Sequence, residues 1–310
     1  MDGAARVCPA CGGPLSPWRT VESSEVGLGP ASLDLARCVR CGSAVTLGAP
    51  VAEAHRAGAY GGGRPRAARL ATPLLTRFDR QRLGLIGPAR SPGGPRRLVD
   101  AGAGRGRFVA AARAAGFDAV GIEPSLRAVD PTLGLIPATI EAAGLASGSV
   151  DVVTLWHVLE HLDDPGMALA AIWDWLVPGG LLLVGVPNLS SWQARLTGGR
   201  WYHLDMPRHR VHYTVAGVTA LLGAAGFEVV EVEHRLLEQN PYGMWQSLVS
   251  LGTRRISYLY NLLKRNAPLE SADLLLTVAA LPWLPVAVAF ERLAARRGAG
   301  GTVAVLARRV

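Results

Sequence analysis

A chain of 310 residues, 49% hydrophobic and 18% charged, is long enough for one large domain with additions and too apolar to be disordered as a whole. Its formal charge is +8, yet all but one of the 32 basic residues are arginine, scattered without a basic arm, which argues against a nucleic-acid partner. The start, MDGAARVCPACGG, lacks the apolar run of a secretory signal, so a cytoplasmic protein is expected.

All four cysteines fall in residues 1–50, as CPACGG (Cys8, Cys11) and CVRCGS (Cys38, Cys41). In the cytoplasm such pairs bind metal more often than they form disulfides. A glycine after each CxxC allows the tight turn that aims two thiolates at one ion, and four thiolates make a closed, structural Zn2+ site with no open catalytic position. Residues 1–50 are therefore expected to form a small zinc-ribbon-like module. Residues 51–95 read as an Ala/Gly/Arg-rich linker and a helix near Leu70 to Leu85, followed by the Gly/Pro-rich run GPARSPGGPRR.

From residue 96 to 238 strand and helix patterns alternate, which predicts a parallel sheet covered on both faces. The strand RLVDA runs into a loop with Gly102, Gly104 and Gly106, then the helix FVAAARAAG. Glycine at these points lets backbone approach a ligand at the carboxyl edge of the sheet. The dinucleotide fingerprint fails, because its third glycine would fall at Arg107. A second strand, DAVGIEPS, ends at Glu123, a carboxylate placed to accept both hydroxyls of a ribose. There follow the apolar stretch GLIPATIEAAG, the strand DVVTLW, the polar motif WHVLEH, the helix MALAAIWDWL, the turn VPGG and the buried strand LLLVGVPN.

In their order, VDAGAGRG, GIEP, SVDVVTLWHVLEH and LVPGGLLLVGVPN resemble the class I S-adenosylmethionine-dependent methyltransferases. The resemblance implies an α/β, Rossmann-like, seven-stranded sheet with an antiparallel last strand at residues 299–310. It places Asp100, Ala101, Gly102, Gly104 and Gly106 at the methionine part of the cofactor, Glu123 and Pro124 at the ribose, and Thr139 and Ile140 at the adenine, with Trp156 alongside. The pairing of a CxxC…CxxC module with a VLEH-type domain is similar to a group of small-molecule methyltransferases, and the LEH sequence to ubiquinone-type O-methyltransferases. The Asn-Pro-Pro-aromatic motif of exocyclic-amine methyltransferases is absent, since Leu155, Trp156 and His157 stand there.

The spacing of His157, Glu160 and His161 puts three polar groups on one face of a helix. Three roles are open. A histidine can be the general base for an acceptor hydroxyl. The trio can hold a divalent cation such as Mg2+, as in relatives with Glu-x-x-Glu-His, although His157 replaces the first glutamate here. Or it can brace loops around the cofactor. A second polar cluster, SSWQARLTGGRWYHLDMPRHRVHYT, carries His203, His209 and His212 on a loop long enough to wall an acceptor, and His209 is the one expected to meet the first cluster. Its tryptophans can equally pack into the core, with the histidines in solvent or bonded to backbone.

Residues 239–298 form a hydrophobic helical insertion between the last two strands. Leu274 to Phe290 are 17 residues without a charge, interrupted by Pro282 and Pro285. Because the flanking strands pair in one sheet, the chain must return to the side it left, and a single membrane crossing is excluded. The insertion then either lies at a membrane surface, with Arg254, Arg255, Lys264, Arg265, Arg296 and Arg297 beside acidic headgroups, or forms a lid or homodimer contact. The whole reads as an S-adenosylmethionine-dependent enzyme methylating a small-molecule, sugar or lipid-linked acceptor, most simply on oxygen. An RNA methyltransferase and a non-catalytic scaffold are the alternatives.

Overall fold

The computed structural model describes residues 7–24, 30–48, 72–91, 93–125, 131–264 and 266–310. Most of the expected linker, residues 51–71, and Arg265 lie outside them. The central sheet contains β4 (Arg97–Ala101), β5 (Asp118–Ile122), β6 (Val150–Trp156), β7 (Leu176–Pro187), β9 (Phe227–Glu233) and β10 (Thr302–Arg309). Their order is β9-β10-β7-β6-β4-β5. Strands β4, β5, β6 and β7 are parallel, whereas β10 runs antiparallel to both β7 and β9.

Burial on both faces explains the apolar runs. On one face Val99, Ala101, Val153, Leu155, Val184 and Val305 pack under α3 (Pro165–Trp175) and α5 (Val215–Ala224). On the other, Leu98, Val152, Leu183 and Ala304 meet Ile86 of α1 (Thr72–Ile86) and Phe108 of α2 (Arg107–Ala114). Helix starts follow capping chemistry: the Asp164 carboxylate accepts from Met167 N with Pro165 in the first turn, and the Thr214 hydroxyl accepts from Gly217 N.

Three local expectations need correction. The sheet has six strands rather than seven among the described residues: the GLIPATIEAAG stretch contributes only a single parallel bridge, Ile122 to Ile136. Pro137 follows with no N–H to extend the ladder, and the chain turns through Ala138 to Ala143. The VPGG turn is a bulge inside a continuous β7, since Val150 pairs with Leu176 but Val152 with Leu181. The WHVLEH motif is not one helical face. Strand β6 ends at Trp156, His157 takes a left-handed backbone (φ 56°), and only Leu159–His161 form a 3-10 turn.

The amino-terminal module is an antiparallel sheet of β1 (Leu15–Glu22), β2 (Ser32–Cys38) and β3 (Ala44–Thr46), and it is not self-contained. The loop after β7, beyond the short helix α4 (Trp192–Thr197), adds β8 (Val211–His212) to its edge, pairing Val211 with Val45 and His212 with Ala44. The small core beneath is shared: Val21, Leu33, Leu35 and Ala44 from the module pack with Leu189, Trp201, Leu204 and Met206 from the loop. Side chains lock the seam. The Thr46 hydroxyl donates to the His209 carbonyl at 2.7 Å and lies 3.0 Å from His212 Nε2, while Thr214 Oγ1 donates to the Cys41 carbonyl at 2.7 Å.

Between β9 and β10 lie α6 (Asn240–Ser250), α7 (Tyr258–Leu263), α8 (Ser271–Ala279) and α9 (Leu284–Arg296), the last two joined by the 3-10 turn Leu281–Trp283. Buried polar groups anchor the insertion to the sheet. Asn240 Oδ1 accepts from Thr302 N at 2.7 Å, and Glu291 accepts from Gly301 N and from Gln193 Nε2, each at 2.8 Å. Burial of the Glu291 carboxyl raises its pKa to about 7 despite these donors. Residues Ser271–Arg296 are long and apolar enough to cross a membrane by length and composition, but the antiparallel β9–β10 pair requires the chain to return.

Thr46→Val should lower stability by about 1–3 kcal/mol, because the His209 carbonyl loses its donor in a buried seam. Urea unfolding of the two proteins measures it.

Candidate active site

At the carboxyl edge of β4 and β5 the glycine loop has the backbone that only glycine adopts cheaply: Gly102, Gly104 and Gly106 sit at φ 79°, 55° and 78°. Space requires glycine as well. A Cβ on Gly102 would lie 2.3 Å from Val158 Cγ2, so the loop and the residue after His157 are in contact. Glu123, 6% exposed, accepts from Gly104 N at 2.9 Å through one carboxylate oxygen and from Ser125 N at 3.0 Å through the other. Burial raises its pKa against those two N–H bonds. The expected adenine neighbours differ: Ile140 is buried, whereas Thr139 is exposed on the turn. Positive-φ glycines, N–H groups at the start of α2 and a carboxylate on the neighbouring strand fit a nucleoside with a charged amino-acid tail.

Asp100 turns inward. It accepts from the Thr154 hydroxyl at 2.5 Å and lies 3.8 Å from an Arg82 guanidinium nitrogen. That arginine is 6% exposed, sandwiched 4.2 Å above the Phe108 ring and 4.4 Å above the Trp156 ring. Glu238 completes the lattice by accepting from Trp156 Nε1 at 2.8 Å and from Arg107 at 3.3 Å, with Arg107 also paired to Asp79 at 2.5 Å. Burial raises the Asp100 pKa and lowers that of Arg82, each opposed by the other's charge. Trp156 thus belongs to this lattice between β6 and α1. Asp79, Arg82, Arg107 and Glu238 are absent from the sequence-derived site. The available signal was that Phe78, Arg82 and Ile86 repeat every fourth residue, so an arginine occupies the core face of α1.

Beyond β6 the backbone carries His157 to the rim. Its N–H donates to the Gly185 carbonyl at 2.9 Å, and the left-handed turn brings Nδ1 to 3.0 Å from Glu160 Oε1. The imidazole is 16% exposed and the carboxylate 1%, so the histidine faces outward and the glutamate holds it from behind. Glu160 Oε2 has no hydrogen-bond partner.

His209 does reach this cluster, with Nε2 4.0 Å from Glu160 Oε1 and 3.7 Å from Asp205 Oδ2, and its ring 4.7 Å from that of His161. Glu160, His161 and His209 each offer a ligand atom within 4.8 Å of the others. Burial, followed by the His161 charge, holds the His209 pKa well below its usual value. Burial similarly lowers His203 to about 3 and His212 to about 4. These three rings are buried rather than solvated, and only His209 joins His157, Glu160 and His161. In Asp205, burial is outweighed by Arg208 and His209, which keep the carboxylate ionised.

The four cysteines also meet. Cys8 Sγ lies 3.7 Å from Cys41 Sγ, and Cys11 Sγ lies 3.5 Å from Cys38 Sγ, close to the edge of about 3.8 Å that a tetrahedron with 2.3 Å Zn–S bonds requires. Gly13 makes room, since a Cβ there would lie 3.0 Å from Cys38 Sγ. Burial pushes the Cys8 thiol up; at Cys38 burial is overcome by N–H groups of Cys41 and Arg40, which bring it to about 7.

Residues 65–232, more than half of the chain, match the family described as Methyltransferase domain, and the chain belongs to that family. Fold and family together make it a class I S-adenosylmethionine-dependent methyltransferase, as its motifs imply. It is 35% identical over 104 residues to the Mycolicibacterium smegmatis protein named "Probable S-adenosylmethionine-dependent methyltransferase", covering 34% of this chain and 38% of that one. To the ubiquinone biosynthesis O-methyltransferase of Methylococcus capsulatus it is 30% identical over 149 residues, 44% of this chain and 60% of the relative. The chain spans 38% and 60% of the length of these two relatives. The crystal structure of an S-adenosylmethionine-dependent methyltransferase from Archaeoglobus fulgidus has a TM-score of 0.49 and 17% identity, over 76% of this chain and 94% of that one.

Arg82→Ala should destabilise the protein by about 3–5 kcal/mol at neutral pH, because Asp100 would remain buried without its counter-charge. The loss should shrink in acid, where Asp100 can take a proton instead. Urea unfolding at two pH values tests both statements.

Proposed function

We propose that the protein methylates a hydroxyl of a small-molecule or lipid-linked acceptor, with His157 as general base and Glu160 as the group that orients it. The observation that carries this reading is the His157–Glu160 contact of 3.0 Å at the end of β6, on a segment touching the cofactor loop through Val158 and Gly102. S-adenosylmethionine supplies an electrophilic methyl group on a sulfonium. The glycine loop and Glu123 are assigned to its binding, and Asp100 with Arg82 to the floor beneath.

With Nδ1–H directed at the carboxylate, His157 Nε2 is the nitrogen left to accept a proton. As the acceptor oxygen bonds to the methyl carbon and the carbon–sulfur bond breaks, the hydroxyl proton passes to Nε2. Glu160 stabilises the imidazolium that results. His157→Ala should lower kcat by about two to four orders of magnitude with cofactor affinity unchanged. Glu123→Ala should instead weaken cofactor binding by about ten- to a hundredfold. Turnover and calorimetric titration separate the two, and full turnover in His157→Ala would sink the base assignment.

A second reading rests on the proximity of Glu160, His161 and His209. Two imidazoles and a carboxylate suit a divalent cation that would polarise the acceptor oxygen. It requires turnover to rise with added Mg2+ or Mn2+ and to lose that response in His209→Ala.

The four thiolates are assigned to one structural Zn2+. Elemental analysis should find one zinc per chain, lost in Cys38→Ser. Because β3 carries β8, zinc loss should also expose residues 198–214 to limited proteolysis.

A further inference from the structure

We propose that the α8–α9 segment docks the protein on an anionic phospholipid bilayer, inserting its apex into the interfacial layer. The inference is independent of the methyl-transfer assignment. Between Val278 and Val286 the chain presents Leu281, Trp283, Leu284 and Val286 to solvent at 48, 66, 36 and 56% exposure, with Pro282 and Pro285 exposed between them. Soluble surfaces rarely expose so continuous an apolar patch without a partner. Beneath it an apolar cavity of about 400 Å³ opens between α6, α8 and α9, walled by Trp245, Leu276, Ala287 and Phe290.

Charge selects the occupant. The acidic residues of the insertion are Glu270, Asp273 and Glu291. Asp273 and Glu291 are each 2% exposed and satisfied by N–H donors, and Glu270 is paired with Arg255 at 2.6 Å. Arg254, Arg292, Arg296 and Arg297 are all exposed. The outer surface is therefore apolar and cationic. The two characters are also graded along α9, whose exposed face begins with Leu284, Pro285 and Val286 and ends with Arg292, Arg296 and Arg297. At 1.5 Å per residue, Arg292 stands about 9 Å and Arg296 about 15 Å along the axis from Val286. That separation matches an apex buried about 5–10 Å below the headgroups with arginines at the phosphates. A second copy fits poorly, because a two-fold contact through this face would leave its arginines without acidic partners, the three acids of the insertion being buried or already paired.

The test is co-sedimentation of the full chain with vesicles of phosphatidylcholine alone and of phosphatidylcholine and phosphatidylglycerol, two to one. Binding is expected only with phosphatidylglycerol and should weaken as salt rises. The triple variant R292Q/R296Q/R297Q should lose about a hundredfold in vesicle affinity, and W283S/L284S should lose binding, both with S-adenosylmethionine affinity intact as the check on folding. No binding to anionic vesicles, or undiminished binding by the triple variant, overturns the proposal. So does light scattering that shows a dimer broken by W283R in a protein that ignores vesicles. Failure of methyl transfer would leave the vesicle result standing.

Discussion

Two residues, Val211 and His212, belong to two structures at once, and the candidate acceptor site depends on that double membership. In sequence they sit on the loop after β7; in space they are the edge strand of the cysteine-bearing sheet. Their pairing with β3 fixes where His209 stands, because Thr46 holds the His209 carbonyl while the Arg210 N–H donates to the Glu160 carbonyl at 2.7 Å. Without it, the seventeen residues between α4 and α5, 198–214, would have to hold three histidines in place by their own contacts.

A second constraint acts on the other side of β6. Arg82 and Asp100 are buried together at 6% and 3% exposure, each offsetting part of the cost of burying the other, with the half-buried Glu238 3.7 Å from the guanidinium at the rim. Stacking of the guanidinium between Phe108 and Trp156 makes that burial tolerable and fixes α1 across the sheet edge. The glycine loop therefore lies beside a buried charged pair, while His157 projects from a left-handed turn at the rim. The same strand, β6, supports both: Thr154 faces Asp100, and three residues later His157 faces Glu160.

Much of this was legible in the sequence. Parallel strands buried on both faces read as apolar runs, and glycines at their ends mark the ligand edge, so RLVDAGAGRG and DVVTLW identified themselves. Paired CxxC motifs converge because their turns leave the thiolates little choice. What escaped detection has physical reasons. A two-residue strand such as Val211–His212 carries no periodicity. An arginine on a helix reads as a solvated residue until its apolar neighbours are seen, and Arg82 is therefore easily passed over. The spacing of His157 and Glu160 suggested a helix, but the chain turned through φ 56° and brought the pair together by another route. Pro137 ended what would have been a seventh strand.

The position of the insertion has a consequence for how this protein can change. Its ends are clasped where Asn240 meets Thr302 and Glu291 meets Gly301, so the sheet registers only that the chain leaves and comes back. Closing an excursion between fixed points grows costlier only logarithmically with its length, by about 0.6 kcal/mol for each doubling. Helices there can lengthen, shorten or be exchanged while the strands of the central sheet keep their register. The segment between β9 and β10 is thus a place where a new surface can be acquired at little risk to the sheet and the candidate site at its edge.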